Sequence, residues 1–291
     1  MGAVTRKPEW LKIKRLAVGE KASSVLRALS DQGLHTVCSS ASCPNKGTCF
    51  AEGTATYMIL GDQCTRSCRF CGVQSGRPGP VDPGEPERLA EAAERMGLTY
   101  VVVTSVCRDD LHDEGARQFA RTVEALRSRI PGVSVEVLTP DFSGREECLE
   151  TVLRAGPDVF NHNLETVERL TPVVRSKARY RRSLQVLETA KRLAPGIPTK
   201  SGLMVGLGET REELRRSFLD LAGAGVERLT VGQYLQPSRR HLPVARYLEP
   251  AEFLEIEDEA KAAGIPAVLS GPLVRSSYHA AAFASAGEET G

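Results

Sequence analysis

Eight consecutive residues, Cys64-Thr65-Arg66-Ser67-Cys68-Arg69-Phe70-Cys71, set three thiols in the spacing C-x3-C-x2-C directly after the apolar run Tyr57-Met58-Ile59-Leu60. Three thiols this close converge on one metal centre if the loop that carries them curls around it. Three is one too few for a closed tetrahedral zinc site, where four protein ligands are usual. A cubane iron–sulfur cluster normally takes four thiolates, one per iron. With three, one iron is left open to a group that is not protein, and chemistry is expected there.

The remaining cysteines sharpen this reading. The chain has 291 residues and eight cysteines, six of them in two tight triplets between Cys38 and Cys71. Odd-numbered triplets are not a disulfide framework, so bound metal in a reducing compartment fits better. The second triplet, Cys38, Cys43 and Cys49, reads C-x4-C-x5-C, with turn residues Pro44, Asn45 and Gly47 inside it. Buried structural thiols are the plain alternative, but the intervening residues supply no apolar run to bury them. A second cluster with three thiolates is the expectation, again one ligand short.

Charge and hydropathy exclude several classes. Lys and Arg number 38 against 37 Asp and Glu, a net charge of +1. That balance gives no reason to expect non-specific nucleic-acid binding. No run of 18 apolar residues exists to span a membrane, and the N-terminus lacks a secretory apolar region. A cytoplasmic location is expected.

A short helix is expected over 19–32, on the apolar face Val25, Leu26 and Leu29. Apolar, β-branched runs then recur at 57–61, 100–106, 133–138, 159–161, 200–205 and 228–233. Amphipathic stretches lie between them, one starting at Pro86 with Leu89, Ala92, Ala93 and Met96 on one face. A repeated β–α unit implies an α/β fold with a parallel sheet and helices outside. Six units fit a partial (β/α)6 barrel, with an open doubly wound sheet as the runner-up. The expected division is an N-terminal extension over 1–55 with the Cys38–Cys49 loop, a barrel over 56–250, and a C-terminal helix and tail over 251–291 closing over the barrel mouth. These form one compact domain.

In such barrels function sits on the loops after the strands' carboxyl ends, where Cys64, Cys68 and Cys71 fall. Other polar residues recur at strand ends: Thr104-Ser105, Pro140-Asp141, Asn161-His162-Asn163-Leu164-Glu165, Lys200-Ser201 and Gln233-Tyr234. Some are plain loop residues or caps on the alternative reading; Asp113 is a candidate cap for the helix after it. Gly206-Leu207-Gly208 lacks a third glycine at the dinucleotide fingerprint position, and Thr210-Arg211-Glu212-Glu213 reads as a capping box. Cys148, beside Leu149 and Val152, reads as core.

The C-x3-C-x2-C triplet, with an aromatic before its last cysteine, resembles the signature of radical S-adenosylmethionine (SAM) enzymes. That resemblance implies that the open iron chelates SAM, and that an electron from the cluster splits the sulfonium to release a 5′-deoxyadenosyl radical. Gly202-Leu203-Met204-Val205-Gly206-Leu207-Gly208-Glu209 resembles the family's G-x-I-x-G-x-x-E strand, with Met204 in place of isoleucine. The pairing of the two triplets resembles the lipoyl synthase family. So do Lys7-Pro8-Glu9-Trp10-Leu11-Lys12, Gly61-Asp62-Gln63, Phe160-Asn161-His162-Asn163, Thr199–Thr210 and Gly232-Gln233-Tyr234-Leu235-Gln236-Pro237-Ser238.

In that family the second serine of R-S-S-Y, here Ser277, ligates the auxiliary cluster with Cys38, Cys43 and Cys49. The implied cofactors are two 4Fe-4S clusters and SAM. The implied reaction inserts two sulfur atoms at C6 and C8 of a protein-bound octanoyl-lysine, with the auxiliary cluster as donor. The implied partners are octanoylated lipoyl carrier domains, such as 2-oxoacid dehydrogenase acyltransferase subunits or the glycine-cleavage carrier, and an electron donor such as flavodoxin or ferredoxin. Neither nucleic acid nor a membrane is an expected partner. Thr104, Asn163, Glu165, Arg175 and Met204 are the expected SAM contacts.

Two departures stand out. The family usually reads T-S-V-D-R-D-D-L where this chain has Thr104-Ser105-Val106-Cys107-Arg108-Asp109-Asp110-Leu111. Cys107 is expected to face away from the site; the other reading is a thiol at the active rim. Val174-Arg175-Ser176-Lys177-Ala178 departs from the usual V-R-P after the arginine. Two alternatives remain: another sulfur-inserting radical SAM enzyme, such as a biotin synthase or methylthiotransferase, and a zinc-stabilised binding protein.

Overall fold

The structure, a computed structural model, describes residues 6–12, 32–37, 45, 56–278 and 280–285. The helix expected over 19–32 and the residues Cys38, Cys43 and Cys49 lie outside the described residues. The chain divides into two units. One comprises Lys14–Ser67 and Gly72–Phe160; the other comprises Met1–Ile13, Cys68–Cys71 and Asn161–Gly291.

In chain order the first unit holds β1 (His35–Thr36), β2 (Thr56–Ile59), β3 (Gln63–Cys64), β4 (Gln74–Ser75), α1 (Glu85–Arg95), β5 (Tyr100–Ser105), α2 (Ala116–Arg129), β6 (Ser134–Leu138) and α3 (Glu146–Arg154). The strand β7 (Val159–Asn161) follows. The strand order is β1-β2-β5-β6-β7. β1 is antiparallel to β2, whereas β2, β5 and β6 run parallel, with Met58 against Thr104 and Val102 against Glu136. Val101, Val103, Val135 and Val137 are fully buried, as strands covered on their faces require. Phe119 of α2 meets Phe142 edge to face at 6.1 Å, a favoured aromatic geometry. Pro86 lies in the first turn of α1, and Leu89, Ala92 and Ala93 form its buried stripe.

The second unit continues with α4 (Thr171–Val174), α5 (Tyr180–Leu193), β8 (Thr199–Val205), α6 (Arg211–Gly223), β9 (Arg228–Gln233), α7 (Pro250–Ala262), β10 (Ala267–Gly271) and α8 (Ala280–Ser285). β8, β9 and β10 are parallel neighbours. Its core gathers Leu187, Leu203, Val205, Phe218, Leu221, Leu229, Val231, Phe253 and Ile256. Thr210 caps α6 through the expected capping box: its hydroxyl accepts from the Glu213 N–H while the Glu213 carboxylate accepts from its own.

The strands expected from the β-branched runs are all present, with ends shifted by a residue or two. β10 is additional. Ala267-Val268-Leu269-Ser270-Gly271 has one β-branched residue, so its strand character comes from pairing with β9, not from local propensity. Asp113 does serve as a cap, its carboxylate accepting from the Gly115 and Arg117 N–H groups. Cys148 is buried beside Leu149 and Val152. No described helix is long and apolar enough to cross a membrane.

The tail after β10 is held against the second unit's own sheet. A Cβ on Gly232 of β9 would stand 2.1 Å from the Val274 carbonyl oxygen, so only glycine permits this approach. Further along, Phe283 lies under the Lys200 ammonium, 5.6 Å from the ring centroid.

Candidate active site

In the first unit the chain leaves β2 by an abrupt change of backbone. Leu60 has φ 69° and Gly61 φ 91°, and a left-handed leucine is uncommon enough to need support. The buried carboxylate of Glu85 supplies it, accepting from the Leu60 N–H at 3.1 and 2.9 Å. The turn delivers Cys64 into β3, where its carbonyl accepts from the Gly76 N–H at 2.9 Å.

The Cys64 sulfur is a hydrogen-bond focus. The Cys107 N–H lies 3.3 Å from it and the Arg66 N–H 3.4 Å. A side-chain bond from Cys107, those two N–H groups and the Arg66 charge outweigh burial and lower the Cys64 thiol to about 6. Cys107 therefore does not face away from the site. Its N–H and its thiol both turn toward Cys64, and its carbonyl accepts from the Thr65 N–H at 3.1 Å.

Arg66 sits behind this sulfur with its side chain 4% exposed. Its guanidinium pairs with Asp109 at 2.6 Å and with the fully buried Asp141 at 2.7 Å. Glu114 lies 3.8 Å away and pairs in turn with Arg145 at 3.2 Å. A planar fork satisfied on several sides fixes the residue between Cys64 and Cys68 in place. Thr104, next to last in β5, donates its hydroxyl to the Leu138 carbonyl at 2.8 Å. The neighbouring Ser105 hydroxyl is buried and has no partner among the described residues.

Cys68 and Cys71 lie in the second unit. The Cys71 N–H closes a turn onto the Cys68 carbonyl at 3.1 Å. The Arg69 N–H donates to Val174 O at 2.9 Å, and Arg69 O accepts from the Leu242 N–H at 3.0 Å. His241 Nε2 lies 2.9 Å from the Cys71 carbonyl and its Nδ1 2.9 Å from the Ser238 hydroxyl. A carbonyl only accepts, so Nε2 carries the proton and Ser238 donates to Nδ1. Sequence reasoning missed His241, because a single histidine 170 residues from its partner leaves no local signal.

Beyond β7 four expected site residues come together. Glu165 has φ 69°, and backbone bonds sew it to β8: its N–H donates to Gly202 O at 2.8 Å and its carbonyl accepts from the Met204 N–H at 2.9 Å. Arg175, buried, donates to Asn163 O at 3.1 Å and Leu164 O at 3.2 Å, clamping the strained turn from the other side. The departure from V-R-P thus leaves the Arg175 guanidinium engaged with this turn. The Asn163 amide donates to Glu165 at 3.1 Å, while its Oδ1 is buried and has no partner among the described residues. Burial raises the Glu165 carboxyl, against the charge of Arg175 and the Asn163 bond. Met204 is half-buried on β8. Just beyond, the Gly206 and Leu207 N–H groups donate to Glu209 at 2.5 and 2.9 Å.

Ser277 is half-buried in the turn after β10, where the Tyr278 N–H donates to Arg275 O at 2.9 Å. Lys7 of the N-terminal segment is lowered by burial and then by the charge of Arg275. Of the C-x4-C-x5-C loop only Asn45 is described, and it is buried.

Among the described residues, no three His, Cys, Asp or Glu side chains already converge as a metal-holding group. The donor chemistry nonetheless fits an iron–sulfur cluster. Cys64, Cys68 and Cys71 are half-buried and none is in a disulfide, and Cys64 is held toward the thiolate that metal binding requires. Within the second unit, the unsatisfied Asn163 Oδ1 fits a polar organic ligand.

Residues 58–221 match the model of the radical SAM superfamily. A lipoyl synthase of Methylococcus capsulatus is 57% identical over 280 residues, covering 96% of this chain and 87% of the relative. One of Caldanaerobacter subterraneus subsp. tengcongensis is 54% identical over 275 residues, covering 94% and 96%. Among solved structures, Streptococcus suis SuiB bound to S-adenosylmethionine aligns with a TM-score of 0.57 at 12% identity, over 79% of this chain and 55% of that one. That likeness concerns the fold alone.

Proposed function

The chain belongs to the lipoyl synthase family of the radical SAM superfamily, and from that premise we propose how its residues divide the work. The reaction is lipoyl synthesis on a protein-bound octanoyl-lysine, with a 4Fe-4S cluster and SAM as cofactors. The C6 and C8 hydrogens of an octanoyl chain are neither acidic nor attached to electrophilic carbon, so side-chain acids, bases and nucleophiles have no purchase on them. When bound, the first cluster with SAM supplies a radical able to take such hydrogens, and a second 4Fe-4S cluster supplies the two sulfur atoms.

Cys64, Cys68 and Cys71 hold the first cluster. Cys38, Cys43, Cys49 and Ser277 would hold the second, Ser277 through an oxygen where the others offer sulfur. Asn163, Glu165, Arg175, Met204 and Thr104 position SAM, Arg175 by clamping the 163–165 turn rather than by direct contact. Arg66 and Cys107 keep Cys64 in its ligating state. The three parts 1–55, 56–250 and 251–291 correspond to auxiliary loop, barrel and closing tail. Octanoylated carriers of the 2-oxoacid dehydrogenases and of glycine cleavage are the substrates, with flavodoxin or ferredoxin as reductant. A cytoplasmic setting suits eight cysteines kept as thiols.

The observation that carries the reading is the Cys64 environment: its sulfur accepts from two backbone N–H groups, those of Arg66 and Cys107. Paired variants test it. Cys68→Ala abolishes SAM cleavage. Cys43→Ala retains cleavage to 5′-deoxyadenosine but makes no lipoyl product. A Cys43→Ala protein that still formed lipoyl product would remove the second triplet from sulfur donation.

A further inference from the structure

We propose that the second unit carries a basic ridge on which an acidic protein docks, and that this protein is the octanoylated carrier; the inference rests on the functional reading above. Three segments meet at Arg69. Its N–H donates to Val174 O at 2.9 Å and its carbonyl accepts from the Leu242 N–H at 3.0 Å, while His241 reaches the Cys71 carbonyl at 2.9 Å. Stretches 68–71, 171–182 and 235–246 are thereby joined. Together they hold nine arginines and lysines and no aspartate or glutamate, in a chain whose net charge is only +1.

Not all nine face a partner. Arg175 is buried, Arg181 pairs with Glu168 at 2.9 Å and Arg246 with Glu252 at 2.7 Å. Arg69, Arg179, Arg239 and Arg240 are exposed and form no ion pair among the described residues. The same unit's α6 and α7 are arranged differently: Arg211 and Arg215 both pair with Glu259, at 2.9 and 3.0 Å. Charge of mixed sign thus covers α6 and α7, whereas Arg69, Arg179, Arg239 and Arg240 carry one sign. Val173, 49% exposed beside Val174, adds an apolar contact.

The chemistry of the substrate explains why a ridge belongs there. An octanoyl chain is the same on every carrier and offers only apolar surface, so a carrier is recognised through the protein around its modified lysine. Concentrated positive potential selects an acidic surface and speeds encounter with it. A nucleic acid would meet the same charge, and the test below separates the two.

The test compares two fluorescent octanoyl-lysyl peptides on the reconstituted holoenzyme, one flanked by Asp and Glu, the other by Ser and Gly. The acidic peptide is expected to bind about tenfold more tightly at low salt (about 50 mM) and to lose that advantage at about 500 mM. The double variant Arg179→Glu, Arg240→Glu is expected to abolish the advantage and leave affinity for the neutral peptide unchanged. An advantage that survives in the double variant, or at high salt, overturns the proposal. So does an oligonucleotide of equal charge that binds more tightly than the acidic peptide. Sulfur insertion is read separately by mass spectrometry: its absence from both peptides would contradict the functional reading, while binding still decides the ridge.

Discussion

At Cys64 one sulfur collects two backbone N–H groups and a neighbouring thiol. Its folded pKa, about 6, lies below the ordinary thiol value of about 8.5. The sign follows directly: this thiolate adds stability to the cluster-free protein above the unfolded value, and the contribution is lost as pH falls through about 6. Iodoacetamide labelling of Cys64 in cluster-free protein, followed by peptide mass spectrometry, is expected to rise with a midpoint near 6. Cys107→Ala moves that midpoint upward, because the Cys107 thiol is the largest single influence. An unshifted midpoint would remove Cys107 from the account. Behind the sulfur, Asp141→Asn leaves the Arg66 guanidinium buried without its closest fully buried partner. Breaking such a pair costs about 3 kcal/mol, readable as a lower urea midpoint at unchanged slope.

At the scale of elements, one cap and one glycine-dependent contact are open to test. Thr210→Ala removes the hydroxyl that accepts from Glu213 and is expected to cost about 1 kcal/mol in thermal unfolding, since the rest of α6 is unaltered. Gly232→Ala places a methyl 2.1 Å from Val274 O and pushes the 272–278 turn off β9. Iron is then expected to fall by about four per chain, the content of one cubane, with SAM cleavage retained. Full iron content in a folded Gly232→Ala protein would detach Ser277 from cluster ligation. The cap was legible because its signal is four residues long. The Gly232 contact was not, because it joins residues 42 positions apart, and nothing local distinguishes this glycine from one in a plain strand. β10 escaped notice for a related reason: its residues have weak strand character until β9 offers them a ladder.

Over the whole molecule, the parallel strands and the cysteine triplets could be read from the chain because periodicity and ligand spacing are properties of neighbours in sequence. Asn163, Glu165, Arg175 and Met204 were named from strand-end position and family likeness, and the structure adds how they cooperate: Arg175 grips the carbonyls of a left-handed turn whose other side is sewn to β8. His241 and the buried Arg66–Asp141 pair were beyond reach, since each is a single residue whose partner lies on a distant loop. The central claim is that one chain holds two clusters and uses one as its sulfur source. Single turnover on anaerobically reconstituted protein tests it most directly, with SAM, dithionite and an octanoyl-lysyl peptide, reading iron per chain and peptide mass together. About eight iron per chain and a peptide carrying two added sulfurs are expected. About four iron with the same doubly sulfurated peptide would contradict it.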